Sequence, residues 1–298
     1  MKKISDQYLI EELERRFSDN NNTILALKHL TEELKTVNKK LEESEAMKSH
    51  FISHITNEII NPFTSILGLS KSILSVEKEN WKKVISMVAL IHSEAFNLDF
   101  QLRNIFITAK IEAGEIYPEI SNVQVESLLK SMADAFRLEA NKKNLVINLH
   151  VETHNQTDGM FRIKTDPEKI KLILGNLLSN AIKFSMEGGQ IDISAWKKDN
   201  LCYFKVQDFG SGISEENQKI IFDRFKRLDS GINSMNRGHG LGLSVNKALI
   251  DMFEGTIEIT SKLGEGASFL VSIPEPDAGA IGFSNEGNDF LFEDNEVF

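Results

Sequence analysis

Three clusters of residues between Asp166 and Gly242 have the chemistry to hold a metal-bound polyphosphate. They are Asn176, Asn180 and Lys183, then Asp208-Phe-Gly-Ser-Gly212, then Gly238-His-Gly-Leu-Gly242. Carboxamide oxygens are neutral hard donors suited to magnesium, an ion that keeps several waters and takes few protein ligands. A lysine brings positive charge to phosphate, an aspartate accepts a bond from an amine, and glycines let phosphate approach the backbone. No single cluster carries much information, but the ordered set describes a nucleotide site.

The elements that must position these groups are legible from periodicity. Asn176, Asn180 and Lys183 fall at i, i+4 and i+7 of a helix predicted over 166–185, while Ile170, Ile173, Leu174, Leu177 and Ala181 turn toward a sheet. Solvated amides are the plain alternative, weakened because Asn is a poor helix former. Asp208 follows the apolar strand Tyr203–Val206, where a carboxylate needs a partner to offset burial. An ordinary Asp-Gly turn is the simpler reading of that piece alone. Gly238, Gly240 and Gly242 precede a helix predicted over 241–253, and a glycine turn opening a helix offers amide donors to anions.

Around the clusters, 123–125, 145–151, 190–196, 201–206, 255–260 and 268–273 alternate like strands, and 125–140 has helical period. The expected class is α+β, with one sheet covered by helices in an α/β sandwich over 115–274. Upstream, Leu27, Leu30, Leu34, Val37, Leu41, Ser44, Lys48 and Phe51 recur at alternating spacings of three and four, a heptad seam, with Asn20-Asn-Asn22 interrupting the pattern above it. This predicts a coiled-coil helix over 1–45. A helical hairpin over 46–114 follows, turning near Val76 to Asn80, and two copies would form a dimeric four-helix bundle. A lone amphipathic helix on a globular core is the alternative, disfavoured because little other apolar surface surrounds the seam.

Length and charge bound the classes. The 298 residues are 41% hydrophobic and exceed one typical core, and no apolar stretch reaches membrane-spanning length. The start, Met1-Lys-Lys-Ile-Ser-Asp6, is basic but lacks the apolar run of a signal peptide. The single cysteine, Cys202, excludes an intrachain disulfide, lies in a strand-like run and suits a reducing compartment, so a cytoplasmic location is expected. Net charge is −10, but residues 275–298 hold seven acids and no Lys or Arg, leaving −3 for the rest. Such a distribution argues against nucleic-acid binding. The acidic segment 275–298 is expected to be disordered, and its Phe290, Phe292 and Phe298 suit a docking peptide for some partner as well as an idle end.

The ordered boxes resemble those of the sensor histidine kinases of two-component signalling, whose ATP domain is shared with gyrase. The resemblance covers about 45–274. It rests on Asn176-Leu-Leu-Ser-Asn180-Ala-Ile-Lys183, on Asp208-Phe-Gly-Ser-Gly212, on Phe222-Asp-Arg-Phe225, on Gly238-His-Gly-Leu-Gly-Leu243, and on the junction Lys110-Ile-Glu-Ala-Gly114. It implies ATP with Mg2+ as ligands, with Asn176 and Asn180 at the metal and Lys183 toward phosphate. It also implies Asp208 on the adenine amine, with Gly210, Gly212, Gly238, Gly240, Leu241 and Gly242 around the nucleotide. Residues 226–237 would form a lid, with Arg227 near the phosphates. A homodimer and a response-regulator receiver domain are the implied partners.

One departure from the family pattern is consequential. The family places its phosphoacceptor histidine five residues before a proline, and the corresponding run here is Phe51-Ile-Ser-His54-Ile-Thr-Asn57-Glu58-Ile-Ile-Asn61-Pro62. An amide nitrogen is delocalised and cannot attack a γ-phosphoryl group at a useful rate, so Asn57 cannot carry phosphate. Several readings stay open. The chain is a degenerate kinase whose nucleotide domain acts as a switch. Alternatively, Glu58 as general base and Asn61 as water-orienting amide dephosphorylate a receiver domain. A third reading makes His54 the acceptor, displaced by about 4.5 Å along the helix. An ATP-independent dimeric scaffold is the alternative from a different class.

Overall fold

The computed structural model describes residues 6–77, 80–152, 161–223 and 241–276; within these, the side chains of 6–9, 40, 43–55, 57 and 58 lie outside the description. Two compact units divide the chain, Met1–Asn57 and Glu58–Phe298.

Helix α1 (Asp6–Leu74) is continuous through Asn20–Asn22, where the heptad pattern is interrupted. An interior Asn costs only about 0.7 kcal/mol relative to Ala, and the Glu, Leu and Lys around it absorb that penalty. Within the first unit, Leu27, Leu30, Leu34, Val37 and Leu41 are each more than half exposed, an apolar stripe with nothing over it among the described residues.

In the second unit, the end of α1 leads into helix α2 (Trp81–Ala113). The predicted junction at Gly114 has a specific geometry. Gly114 takes φ 68°, its N–H donates to Ile111 O, and Glu115 N–H donates to Lys110 O at 2.9 Å, satisfying carbonyls that the helix end leaves open. Downstream come β1 (Ser121–Gln124), α3 (Val125–Ala135), α4 (Arg137–Lys142), β2 (Val146–Val151), β3 (Arg162–Thr165), α5 (Pro167–Phe184), β4 (Gln190–Lys198), β5 (Leu201–Asp208), α6 (Glu215–Gln218), α7 (Gly242–Met252), β6 (Thr256–Lys262) and β7 (Gly266–Pro274).

The predicted single sheet is two. A five-stranded sheet has the order β2-β4-β5-β7-β6, and β1 pairs with β3 in a separate antiparallel ribbon. Strand β3 spans four residues, too few for alternation to reveal it. The helix expected over 125–140 is likewise two, α3 and α4, meeting at Phe136.

Strict alternation buries one face of the large sheet: Ile191, Ile193 and Ala195 on β4, Cys202, Phe204, Val206 and Asp208 on β5. Helices α3, α5 and α7 cover it. As expected, Ile170, Ile173, Leu174, Leu177 and Ala181 all face this core. Burial pushes the Cys202 thiol up to about 12, so it stays protonated and inert. Beyond β7, Glu275 belongs to the folded body: its carboxylate pairs with Lys197 and accepts from Lys164 N–H at 2.8 Å. The remainder of the acidic tail, from 277, lies outside the described residues. Among the described residues, no helix is long and apolar enough to cross a membrane.

Candidate functional site

Helix α5 is held at both ends, which sets the height of its polar face. At its start Asp166 accepts from Lys169 N–H at 3.1 Å and from Glu119 N–H at 2.8 Å, and Pro167 occupies the first turn, where its missing N–H is harmless. At its end the Lys143 ammonium donates to Ile182 O at 2.9 Å and Lys183 O at 2.6 Å, a cation on the negative pole of the helix. Asn180 and Lys183 are half-buried on the resulting face, with Lys183 Nζ 5.0 Å from the Phe184 ring centroid.

Asn176 occupies a different environment from Asn180, being almost fully buried. Its Nδ2 donates to Asn104 Oδ1 and Asn246 Oδ1, each at 2.8 Å, with a longer approach to Gly242 O at 3.2 Å. Asn246 Nδ2 in turn donates to Ile173 O at 3.0 Å, and Asn104 Nδ2 to Phe100 O at 3.0 Å. Three buried carboxamides from α2, α5 and α7 thus satisfy one another. Removing any member strands a polar group at a cost of about 1–3 kcal/mol. Neither Asn104 nor Asn246 announces itself in the sequence; a lone Asn inside an amphipathic helix carries no local signal.

The hairpin helix reaches this network because α5 is thin where they meet. A Cβ built on Gly175 would stand 2.7 Å from Phe100 Cε2, so any larger residue would push the ring aside. Phe96 and Phe100 both pack edge-on against Phe136, with centroids 5.2 and 5.8 Å away. Further along α2, buried Ser93 donates to Glu139 at 2.5 Å and accepts from Lys142.

The first glycine cluster forms a turn pressed between neighbours. A Cβ on Gly210 would lie 2.1 Å from Phe184 O, and Gly212 has φ +67° with Lys262 O 2.0 Å from its would-be Cβ. These glycines are demanded by packing as well as by any ligand. Gly212→Ala should therefore cost on the order of 3 kcal/mol of stability. An unchanged denaturation midpoint would contradict the strain argument.

At the base of the turn sits Asp208, 6% exposed. Burial raises its carboxyl above the ordinary range, against the opposing pull of N–H donors from Gly210 at 3.0 Å and Ala267 at 3.3 Å. Both bonds fall on Oδ1, leaving Oδ2 for a donor that the described residues do not provide. Nearby, Ser185 Oγ is buried without a partner among the described residues, and the Ser185 Cα is 3.0 Å from the would-be Gly210 Cβ. Sequence reasoning missed Ser185, since serine after a helix reads as an ordinary cap.

From the second glycine cluster the structure describes Leu241, buried at the start of α7, and Gly242, whose would-be Cβ is 3.0 Å from Asn176 Oδ1. Gly238, Gly240 and Arg227 lie outside the described residues, as do the lid over 226–237 and Phe225. On α1, Asn61 is exposed. The side chains of His54, Asn57 and Glu58 are outside the description.

Residues 165–277 match the family of histidine kinase-, DNA gyrase B- and HSP90-like ATPases. The circadian input-output histidine kinase CikA of Synechococcus elongatus is 29% identical over 240 residues, 78% of this chain and 31% of that protein. The sensor protein GacS of Pseudomonas syringae pv. syringae is 30% identical over 251 residues, 83% of this chain and 27% of that protein. This chain thus spans under a third of the length of these curated relatives. Among solved structures, full-length ShkA in complex with AMPPNP shares the fold with a TM-score of 0.54 at 24% identity, covering 80% of this chain and 47% of that one.

Proposed function

Because the chain belongs to the sensor histidine kinases and carries their type of ATPase domain, we propose that it binds ATP with Mg2+ and acts in two-component signalling as a nucleotide-dependent switch, without carrying phosphate at Asn57. The observation behind this reading is the Oδ2 of Asp208, the open oxygen of a buried aspartate at the foot of a glycine turn, its other oxygen already bonded and no donor to it present among the described residues. An adenine amine is the donor that completes it.

The donor set suits the metal. Asn180 and Asn176 supply hard, neutral carboxamide oxygens, which fit an ion that arrives with phosphate oxygens and waters. Mg2+ bound there would neutralise phosphate charge. Lys183 stands one turn beyond Asn180, positioned to meet the same phosphates. Gly238, Gly240, Leu241 and Gly242 would offer backbone donors where α7 begins, with Arg227 reaching in from the lid.

The switch reading draws on α2, which shares a buried amide with the nucleotide helix. Nucleotide occupancy would change how the hairpin docks, and a receiver-domain protein would read that change. Asn61, exposed on α1, supports a second activity in which it orients a water and Glu58 takes the proton. The water oxygen then bonds to phosphorus as the phosphorus–oxygen bond to the receiver breaks. The exposed stripe on α1, with Ile85 and Val88 exposed on α2, supports a homodimeric helical bundle. A cytoplasmic location and a partner for the acidic tail complete the proposal.

The switch is tested by hydrogen exchange. Adding Mg-AMPPNP should alter protection across 93–108 of α2, and identical exchange with and without nucleotide would contradict it.

A further inference from the structure

The carboxamide of Asn176 is oriented from outside the helix that bears it. Asn104 spends its Nδ2 on Phe100 O at 3.0 Å, and Asn246 spends its Nδ2 on Ile173 O at 3.0 Å. Each therefore presents only its oxygen to Asn176, which must answer with its NH2 group, at 2.8 Å to both. The Asn176 oxygen is left beside Gly242, 3.0 Å from where a Cβ of that residue would stand. Rotation of the amide by half a turn would put N–H groups there instead and set oxygen against oxygen at Asn104 and Asn246. A cation is attracted by the first arrangement and repelled by the second.

We propose that Asn104 of α2 and Asn246 of α7 are positioning residues that hold the Asn176 carboxamide with its oxygen toward the start of α7, ready for a phosphate-bound divalent cation. This rests on the nucleotide reading of the site and adds a consequence to it. Asn104 belongs to the hairpin, so the metal-dependent part of nucleotide affinity is set in part by how α2 sits on α5. Linkage is reciprocal: a shift of α2 that removes Asn104 weakens Mg-nucleotide binding, and bound Mg-nucleotide holds α2 in place.

The test separates metal-dependent from metal-independent affinity. AMPPNP is titrated into the full chain and into Asn104→Leu, once with excess Mg2+ and once with EDTA, by calorimetry. The expected result is that Asn104→Leu loses roughly tenfold of the magnesium-dependent gain in affinity, with the EDTA dissociation constant unchanged. Asn104→Asp, which keeps the accepting oxygen, should retain most of the gain. Should Asn104→Leu fail to fold, Asn104→Ser takes its place with the same expectation. An unchanged magnesium gain, or parallel weakening with and without metal, overturns the positioning role while the nucleotide site stands. No binding by the unsubstituted chain under either condition overturns the nucleotide reading and this inference with it.

Discussion

Asp208→Asn is expected to weaken AMPPNP binding by about a hundredfold while leaving the ligand-free protein at least as stable. The substituted side chain keeps an oxygen for the N–H donors of Gly210 and Ala267, so the turn survives. At the other end of the group a carboxylate oxygen becomes an NH2, which faces an adenine amine donor to donor. Hydrogen bonds to charged groups contribute about 1.5–3 kcal/mol, and each 1.4 kcal/mol is a factor of about ten in affinity. The missing bond and the new repulsion together give two decades.

The same residue predicts opposite pH responses for stability and binding. Burial raises the folded-state pKa of Asp208, so the folded chain holds this proton more tightly than the unfolded chain does. Its contribution to ligand-free stability is fullest below the unfolded carboxyl range and is lost as pH rises through the raised value. Asp208→Asn should flatten that decline, measured as denaturation midpoint against pH. Nucleotide affinity runs the other way, falling as acid protonates the acceptor. A decline in stability of the same slope in both proteins would remove Asp208 as its source.

The second large effect is a gain. With γ-labelled ATP the chain should take up no label at position 57, whereas Asn57→His should acquire acid-labile phosphate. A neutral imidazole has a lone pair to attack phosphorus, with loss of the bond to ADP, and an amide nitrogen does not. The expected contrast is therefore between absence and measurable occupancy. Label on the unsubstituted chain that disappears in His54→Ala would instead make His54 the acceptor and overturn the silent-site account. Failure of Asn57→His to label, despite tight nucleotide binding, would show that the docking needed for transfer is also lost.

Much of this was legible in the residues because it depends on short-range pattern. The face of α5, its apolar opposite side, and the strands flanking Asp208 follow from spacings of two, three and four. What escaped depends on contacts distant in the chain. Asn104 and Asn176 are 72 positions apart and Asn246 lies 70 beyond Asn176, and no periodicity in any one helix announces their meeting. Strand β1 was legible over 123–125, but its partner β3 was missed because four residues are too few for alternation to reveal it, and the separate ribbon escaped with it. Asn20–Asn22 interrupts the heptad pattern yet leaves the helix continuous, because local propensity is a weak term inside a long helix. The sequence reading named Asn176 and Asn180 for the metal, with one or two amide oxygens sufficing. The fold separates them, one buried in an interhelical network and the other half-exposed.

The central claim is that α5, the Asp208 turn and the start of α7 together grip one Mg-bound adenine nucleotide. Calorimetric titration of the full chain with Mg-AMPPNP tests it most directly. The account predicts one saturable site per chain, abolished by Asn180→Ala and severely weakened by Asp208→Asn. Absence of binding, or binding of equal strength in all three proteins, would contradict it.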